Sequence, residues 1–362
     1  MAHAATRAAA RIKQLSCLGL GGEAVMPALF RELSALFPYH SSSFFFSDES
    51  GQVSNVYQEN QPGEVLELHL REFHNRREKA VSLDSTWQTR TCVGAYGLEH
   101  VLTVERSTFE RSDLYNLVLR EIGCHDFMRL VVRDHSRPLG ILGLHRQKGG
   151  IAFSAEDRRR LATFEPFIAH AMTERPRTDW RLVDSGTSTL IIADSEGRLI
   201  HSTAEGRRLL NLASYPWMTG GSSFRFSLSL PPALIGICRD LAGVFRSKAA
   251  NSPPVHRHRN ELGAFTFRAY WLEADDPAGL IGITIGHEEP LPVVIMRRTK
   301  HLALSRRQTQ VCLLLANGLT YEQIAGDLGI SKHTVIAHSR WIYNKLDVHN
   351  HPELRARLLS GE

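Results

Sequence analysis

Short amphipathic patterns, each with its own start and stop signals, fill the end of the chain. Ser305 with Gln308, and Thr320 with Gln323, have the spacing of a capping box, in which each side chain satisfies a free amide of the first helical turn. Apolar residues follow at helical spacing, and the second pattern stops at Gly329, a residue that readily takes the left-handed conformation. These signals predict an all-α C-terminal segment built from short helices and tight turns.

The third pattern in this segment is longer and more basic. It begins after Ser331 and runs to about Leu346, and Pro352 then opens a last helix at a position where proline is tolerated. Two helices joined by a tight glycine-containing turn, the second basic and amphipathic, form a helix-turn-helix. The second helix has the diameter that the major groove of DNA admits. The alternative is a plain helical bundle used for dimerisation.

The net positive charge of the chain comes from the same segment. Residues 297–362 hold 10 Lys and Arg against 5 Asp and Glu, whereas the rest of the chain holds 33 of each. A solvated basic tail would give the same balance. Because this tail has strong helical patterning, the charge favours a folded surface that faces a polyanion.

The string LSRRQTQVCLLLANGLTYEQIAGDLGISKHTVIAHSRWIYNKLDV resembles the LuxR-type helix-turn-helix of bacterial regulators. The resemblance covers roughly residues 302–358 and implies a four-helix DNA-binding domain in a regulator that is not an enzyme. Three positions depart from the family pattern, which usually has glutamate at Gln308, often has lysine at Ile336 and commonly has glycine at Asp347.

The same resemblance implies which side chains meet DNA. Ile336, Ala337 and Arg340 would face the base edges, and arginine suits guanine because its parallel donors match O6 and N7. Ile336 has no donor and could only pack on a thymine methyl or a sugar. The residues expected at the DNA backbone or groove edge, or at the start of the recognition helix, are Ser331, Lys332, His333, Thr334 and Lys345.

Residues 1–175 show a mixed α/β pattern that resembles a GAF domain, mainly in FMRLVVRD, LGILGLHR and FSAEDRRRLATFEPFIAHA. The alternative is an unrelated α+β domain. The expected helices are 23–37, 65–78, 112–121 and 154–172, and the expected strands are 42–47, 53–57, 127–133 and 139–145.

A candidate linker, Glu174–Thr178, precedes a second α/β region at residues 179–288 whose opening resembles a PAS domain. There we expect a hairpin of 190–193 with 199–201, helices at 204–211 and 232–248, and strands at 264–273 and 280–287 with a turn at 275–277. Residues 289–301 would form a linker to the DNA-binding domain at 302–362. The predicted fold class is therefore multidomain α/β (α+β), with GAF-like and PAS-like sensor modules before an all-α domain.

Several kinds of chemistry have no support in the sequence. The five cysteines are scattered and form no CxxC pair, which argues against a disulfide framework or a structural zinc site. No catalytic constellation can be placed, so we predict no catalytic residue, no metal ligand and no required cofactor, although a buried histidine could hold haem. His256 and His258 would share a face in a strand, but a solvated basic loop is the favoured interpretation.

These observations predict a cytoplasmic, sequence-specific transcriptional regulator that binds a double-stranded DNA operator as a homodimer. No apolar run approaches the roughly 20 residues that span a bilayer. RNA polymerase and a small molecule sensed by unidentified upstream residues are the further expected partners. Three alternatives remain: a constitutive regulator whose upstream modules only dimerise, an enzyme with an appended DNA-binding domain, and a regulator that docks another protein through its N-terminal half.

Overall fold

The computed structural model describes residues 2–61, 63–174, 180–219, 223–224, 230–245, 254–272 and 279–359. The chain divides into two compact units, and neither is continuous in sequence. The first unit comprises Met1–Pro176 and Ser214–Leu228, and the second comprises Arg177–Ala213 and Ser229–Glu362. Among the described residues, no helix combines the length and apolar character needed to cross a membrane.

A five-stranded antiparallel sheet forms the centre of the first unit, with the strand order β2-β1-β5-β4-β3. Its strands are β1 Ser41–Ser47, β2 Val53–Glu59, β3 Ala95–Gly97, β4 Asp126–Asp134 and β5 Arg137–Arg146. The helices of this unit are α1 Ala2–Leu15, α2 Gly22–Ser34, α3 Gly63–Leu68, α4 Ser85–Thr91, α5 Arg106–Phe109, α6 Ala155–Ala162 and α7 Glu165–Thr173.

The two faces of this sheet are covered by different parts of the chain. On one face, α2 places Phe30 against Tyr57 of β2, with the ring centroids 5.8 Å apart. On the other face, an apolar core joins Phe127, Val131 and Ile141 to residues from the segment between β2 and β4. Successive strand residues point to opposite faces, so one sheet serves two cores.

Residues 214–219 also belong to the first unit. The Tyr215 hydroxyl accepts a hydrogen bond from the Asn55 side-chain amide at 2.7 Å. Trp217 stacks on Tyr57 with the ring centroids 5.9 Å apart, and both Tyr215 and Trp217 are buried. The short strands β8 Met218–Thr219 and β9 Ser223–Phe224 follow as an antiparallel pair. This segment therefore completes a core whose other residues lie more than 150 positions earlier in the chain.

The four strands predicted in the first unit are present, but three of the predicted helices are interrupted. The predicted helix 65–78 is α3 followed by a π-helical turn, His69–Phe73, and a separate 3₁₀ turn, Arg77–Ala80. The predicted helix 112–121 is largely a π-helical turn, Tyr115–Leu119. The predicted helix 154–172 divides into α6 and α7 because Pro166 cannot continue a helix from the preceding turn and instead starts α7.

The second unit contains another five-stranded antiparallel sheet, with the order β10-β11-β12-β6-β7. Its strands are β6 Leu182–Asp194, β7 Leu199–Ser202, β10 Val255–Asn260, β11 Gly263–Leu272 and β12 Leu280–Pro290, and its helices are α8 Ala204–Ala213 and α9 Pro232–Phe245. The predicted hairpin, helices and strands of this region are present. The candidate linker 174–178, apart from Glu174, and the turn 275–277 lie outside the described residues.

The histidine pair lies in a strand, which corrects the predicted loop. His256 and His258 are in β10, and their rings stack with centroids 6.4 Å apart on one face of this exposed edge strand. Pairing with β11 outweighs the preceding Pro254 and the dense positive charge, which favoured a loop. Burial and the neighbouring His258 charge lower the pKa of His256.

The predicted linker 289–301 contains a buried helix, α10 Leu291–Arg298. Arg297 forms an ion pair with Glu289 at the end of β12, and its Nη2 donates to the Ser185 carbonyl of β6 at 2.6 Å. Arg298 donates to the Leu358 carbonyl in the last helix at 2.5 Å. Two consecutive side chains at the end of α10 thus contact the sheet and the last C-terminal helix.

Four helices complete the second unit, as the sequence predicts: α11 Arg306–Ala316, α12 Tyr321–Leu328, α13 Lys332–Leu346 and α14 His351–Leu359. Their shared core contains Val311, Leu315, Ile324, Val335, Ile342 and Leu354, all essentially inaccessible to solvent. Two antiparallel sheets with helices and a helical C-terminal domain confirm the mixed α/β fold class.

Candidate nucleic-acid interface

The turn between α12 and α13 is fixed from both sides by local hydrogen bonds. Thr320 and Gln323 form the predicted capping box at the start of α12. Gly329 ends this helix in the left-handed conformation, with φ of 60°. The Ser331 hydroxyl then accepts from the Thr334 amide at 3.1 Å and caps α13. The direction in which α13 leaves the turn is therefore set by short-range chemistry.

One side of α13 is buried and the opposite side is open. Val335, Ser339 and Ile342 pack into the helical core, and the Ser339 hydroxyl donates back to the Val335 carbonyl at 2.8 Å. The predicted DNA-contact residues lie away from this core: Ser331, Lys332, His333, Thr334, Ala337, Arg340 and Lys345 are exposed, and Ile336 is half-buried. Their roles at DNA stay predictions.

Helical geometry sorts these residues into neighbouring rows. His333, Ala337 and Arg340 are spaced by four and three positions and so line one side of α13. Ile336 lies four positions before Arg340 and borders the same row. Lys345 lies on an adjoining line near the end of the helix. The three residues predicted to meet base edges are therefore contiguous on the open surface.

The cationic groups of this surface differ in what they contact. Lys332 forms an ion pair with Glu322 of α12. The hydrogen bond from Lys332 lowers the pKa of Glu322. The Lys345 ammonium lies 5.3 Å from the centroid of the Trp341 ring, a cation–π contact. Arg340 makes no ion pair or hydrogen bond within the described part of the chain, so its fork of donors is available to a ligand.

Behind the interface, an aromatic cluster joins the last three helices. The hydroxyls of Tyr321 and Tyr343 are 3.4 Å apart, and the His351 ring contacts both rings edge-on. Burial raises the pKa of Tyr343 and lowers that of His351. The sequence analysis did not identify this cluster, because residues spaced by 22 and 8 positions share no helical period. It braces α13 against its neighbours.

A capped, basic, outward-facing helix after a tight turn defines a helix-turn-helix DNA-binding domain. Residues 302–357 match the family described as "Bacterial regulatory proteins, luxR family". Residues 302–357 are thus a LuxR-type domain, which confirms the resemblance at the C-terminal end of the chain. A comparison with curated proteins finds no match.

Three solved structures are similar to parts of the chain. The phage VqmA–DPO complex is 20% identical over 48% of this chain and 83% of that one, with a TM-score of 0.17. The Vibrio cholerae VqmA dimer is 15% identical over 48% and 82%, with a TM-score of 0.16. The E. coli DhaR(N)–DhaL complex is 13% identical over 78% and 90%, with a TM-score of 0.24. TM-scores this low do not establish that this chain shares the fold of these structures.

The first unit contains a second cluster, which the sequence analysis missed. His69, His74 and Glu78 each offer a donor atom, and these atoms lie within 4.8 Å of one another. The His74 amide donates to the His69 carbonyl at 2.8 Å, a bond across five residues that closes the π-helical turn. An α-helix would have brought residues three or four apart together instead. The five-residue spacing of His69 and His74 therefore indicates a shared site only once the π-helical turn is known.

Burial and neighbouring charges set the protonation of this cluster. Burial lowers the pKa of His74 to about 4, and the neighbouring His69 contributes in the same direction. Burial raises the pKa of Glu78, but the hydrogen bond and charge of His69 outweigh it and bring the pKa to about 2. Near neutral pH the cluster therefore presents a neutral His74 imidazole and an ionised carboxylate.

Proposed function

We propose that this chain is a cytoplasmic transcriptional regulator that binds a two-fold-symmetric DNA operator as a homodimer through α13. The observation that carries this proposal is the open surface of α13, where Arg340 has no competing partner among the described residues. Its position in a LuxR-type domain and the concentration of positive charge after residue 297 support the same conclusion. RNA polymerase would then be the partner through which transcription responds.

In this proposal the residues of α13 have different tasks. Arg340 donates to O6 and N7 of a guanine, and Ile336 packs on a thymine methyl or a sugar beside it. Ala337 allows close approach between them. The positions nearest the start and end of the helix meet phosphates or the groove edge: Ser331, Lys332, His333, Thr334 and Lys345. Such contacts fix the register of the protein on the duplex without carrying sequence information.

We further propose that the two α/β regions are sensor or dimerisation modules, GAF-like at residues 1–175 and PAS-like at 179–288. Each has a five-stranded antiparallel sheet packed with helices, and both sheets share the pattern in which the last strand lies between the first and the penultimate one. Similar architectures suit ligand pockets enclosed between a sheet and its helices. A small molecule or a protein partner bound there would supply the regulatory signal.

Helix α10 supplies the connection through which such a signal would pass within the second unit. Arg297 ties α10 to β6 and β12, whereas Arg298 ties it to α14. A ligand that binds more tightly to one arrangement of the sheet would shift the position of the DNA-binding domain, because coupling requires a difference in affinity between two states.

The test is association of the purified full-length chain with duplex oligonucleotides selected from a random library, measured over a range of salt concentrations. We expect enrichment of a two-fold-symmetric sequence and an affinity that falls linearly with salt on logarithmic axes. Single-stranded oligonucleotides of the same sequence are the control. If no duplex shows salt-sensitive binding, the proposal of DNA binding is refuted. If every duplex binds equally, the proposed sequence specificity is refuted.

A further inference from the structure

We propose that His69, His74 and Glu78 form a binding site in the first unit for one divalent transition-metal ion, of which Zn²⁺ is the test case. Two imidazoles and one carboxylate are a donor set that zinc and its neighbours in the first transition row accept, and they leave a further position for water or a ligand. The inference concerns the first unit alone and does not depend on DNA binding by α13.

The distances suit a common ion. His69 Nε2 and Glu78 Oε2 are 3.5 Å apart. Two ligands of a tetrahedral zinc, each about 2.0–2.1 Å from the metal, lie about 3.3 Å from each other. This pair therefore already has the required separation. The widest donor separation in the cluster is at most 4.8 Å, so closure needs a shift of at most about 1.5 Å, within the range of a small rotation about the side-chain bonds.

Backbone hydrogen bonds orient the carboxylate. Glu78 Oε1 accepts from the Asn75 amide at 2.6 Å and from the Ser85 amide at 3.4 Å. These bonds turn Oε2 towards His69. Outer contacts of this kind orient the ligands of known metal sites and reduce the reorganisation that binding requires. The side chains of His69 and Glu78 are only 14% and 7% exposed, which limits competition from water.

The His74 ring provides an independent indication of a missing ligand. Its Nδ1 is buried and has no hydrogen-bond partner among the described residues. Leaving such a nitrogen unsatisfied is unfavourable, and a metal ion removes the penalty. Its Nε2 is 3.2 Å from the Asn75 side-chain nitrogen. Coordination by Nδ1 places the ring proton on Nε2, so we expect Asn75 then to turn its amide oxygen towards that nitrogen.

The surroundings confine the three side chains. Phe45 of β1 stacks on His74 at 6.5 Å between centroids and meets His69 edge-on at 6.2 Å. Among more distant charges, Arg129 opposes a cation near His74 and Asp84 favours one. Within the described residues, His69 is the ion-pair partner of Glu78. A π-helical turn inserted at this point fits the frequent occurrence of such turns at functional sites.

The test uses the untagged full-length chain, treated with EDTA and then titrated with ZnCl₂ by calorimetry, with bound ions counted by native mass spectrometry. We expect one Zn²⁺ per chain. His69→Ala and Glu78→Gln should each weaken binding by more than about 10-fold, because loss of a direct ligand costs at least as much as loss of an outer contact. His170→Ala is the matched control, since His170 lies 3.3 Å from Glu174 in the same unit and the described residues place no third ligand beside this pair.

Circular dichroism of the metal-free variants shows whether they fold. If they do not fold, the visible spectrum of the Co²⁺-loaded wild type tests which ligand types bind the metal. Nitrogen and oxygen ligands give visible d–d bands without the intense thiolate band that a cysteine ligand would add. The proposal is overturned if the wild type binds no stoichiometric Zn²⁺ or shows a thiolate band. It is also overturned if folded His69→Ala and Glu78→Gln chains bind as the wild type does, or if only His170→Ala abolishes binding.

Discussion

The guanidinium of Arg297 forms an ion pair with the carboxylate of Glu289, and the pair joins the end of β12 to helix α10. The Glu289 side chain is only 6% exposed and that of Arg297 is 26% exposed. Arg297 also donates to the Ser185 carbonyl of β6. One side chain therefore holds α10 to two neighbouring strands. Helix α10 lies between the last strand of the sheet and the first helix of the DNA-binding domain.

Replacing Arg297 by alanine should destabilise the second unit. The change removes the Arg297 guanidinium from the buried Glu289 carboxylate and from the Ser185 carbonyl, and loss of a hydrogen bond to a charged group costs about 1.5–3 kcal/mol. Chemical denaturation of the full chain measures the loss. Arg239→Ala is the control, because the Arg239–Glu196 pair in the same unit is well exposed and such pairs contribute about 1 kcal/mol or less. If Arg297→Ala and Arg239→Ala lower the free energy of unfolding by similar amounts, the stabilising role of Arg297 is contradicted.

Replacing Arg340 by alanine should weaken binding to the selected operator by about 1–3 kcal/mol and relax the preference at one base position. Competition binding with single-base variants of the operator measures both effects. Arg357→Ala removes the same charge from an exposed position on α14 and should leave the sequence preference unchanged. Equal preference profiles for wild type and Arg340→Ala would assign the base contact to another residue.

Replacing Glu322 by glutamine should strengthen DNA binding by about 2–10-fold and alter its salt dependence, since a charge at the edge of an interface acts in this way. The carboxylate holds Lys332 in an ion pair, and its removal frees the ammonium for a phosphate. Lys332→Ala should instead weaken binding to all sequences and lower the salt slope by about 1. A Glu322→Gln chain that binds no better than the wild type would show that Lys332 does not meet the DNA.

Two glycines of the helix-turn-helix should respond oppositely to alanine. Apart from its chain neighbours and the local helix backbone, no atom lies within 4 Å of the position that an added Cβ would take at Gly326 or Gly329, so crowding plays no part. Gly329 has φ of 60°, which costs an alanine about 1–2 kcal/mol. Gly326 lies inside α12, where alanine should add about 1 kcal/mol of stability. Thermal unfolding tests both, and stabilisation by Gly329→Ala would contradict the left-handed cap.

Acid should destabilise the first unit through His145. Burial lowers the pKa of His145 to about 3, whereas an unfolded histidine has a pKa near 6.5. Between these values the unfolded chain binds the extra proton, so stability falls as pH decreases, by up to about 1.4 kcal/mol per pH unit. A folded His145→Gln variant should show a shallower loss between pH 6.5 and 4 in denaturation experiments, whereas His135→Gln, at a nearly fully exposed position, should not.

The sequence is most informative where structure is decided by neighbouring residues. The caps at Ser305 and Thr320 are present as predicted, because a capping box needs only residues three apart and their own amides. The spacing of apolar residues likewise predicts four strands in each sheet, but it does not predict β3 or β10. The exposure of Arg340 follows from the same helical period that buries Val335 and Ile342.

Features that depend on distant contacts could not be predicted in this way. Helix α10 lies in a segment predicted to be a linker, and its structure depends on contacts that Arg297 makes with Ser185, 112 positions earlier in the chain. The His69, His74 and Glu78 cluster depends on a π-helical turn, which no 3.6-residue period predicts. The strand at His256 depends on pairing with β11, which overrides local composition.

The late position of Trp217 in the sequence affects how the nascent chain can fold during synthesis. While the ribosome has made only the first 176 residues, the Trp217 ring that stacks on Tyr57 has not yet been synthesised. The first unit is complete only after β6, β7 and α8 of the second unit have been synthesised, because these elements precede Ser214 in the chain. No single cleavage of the backbone can release both of them intact.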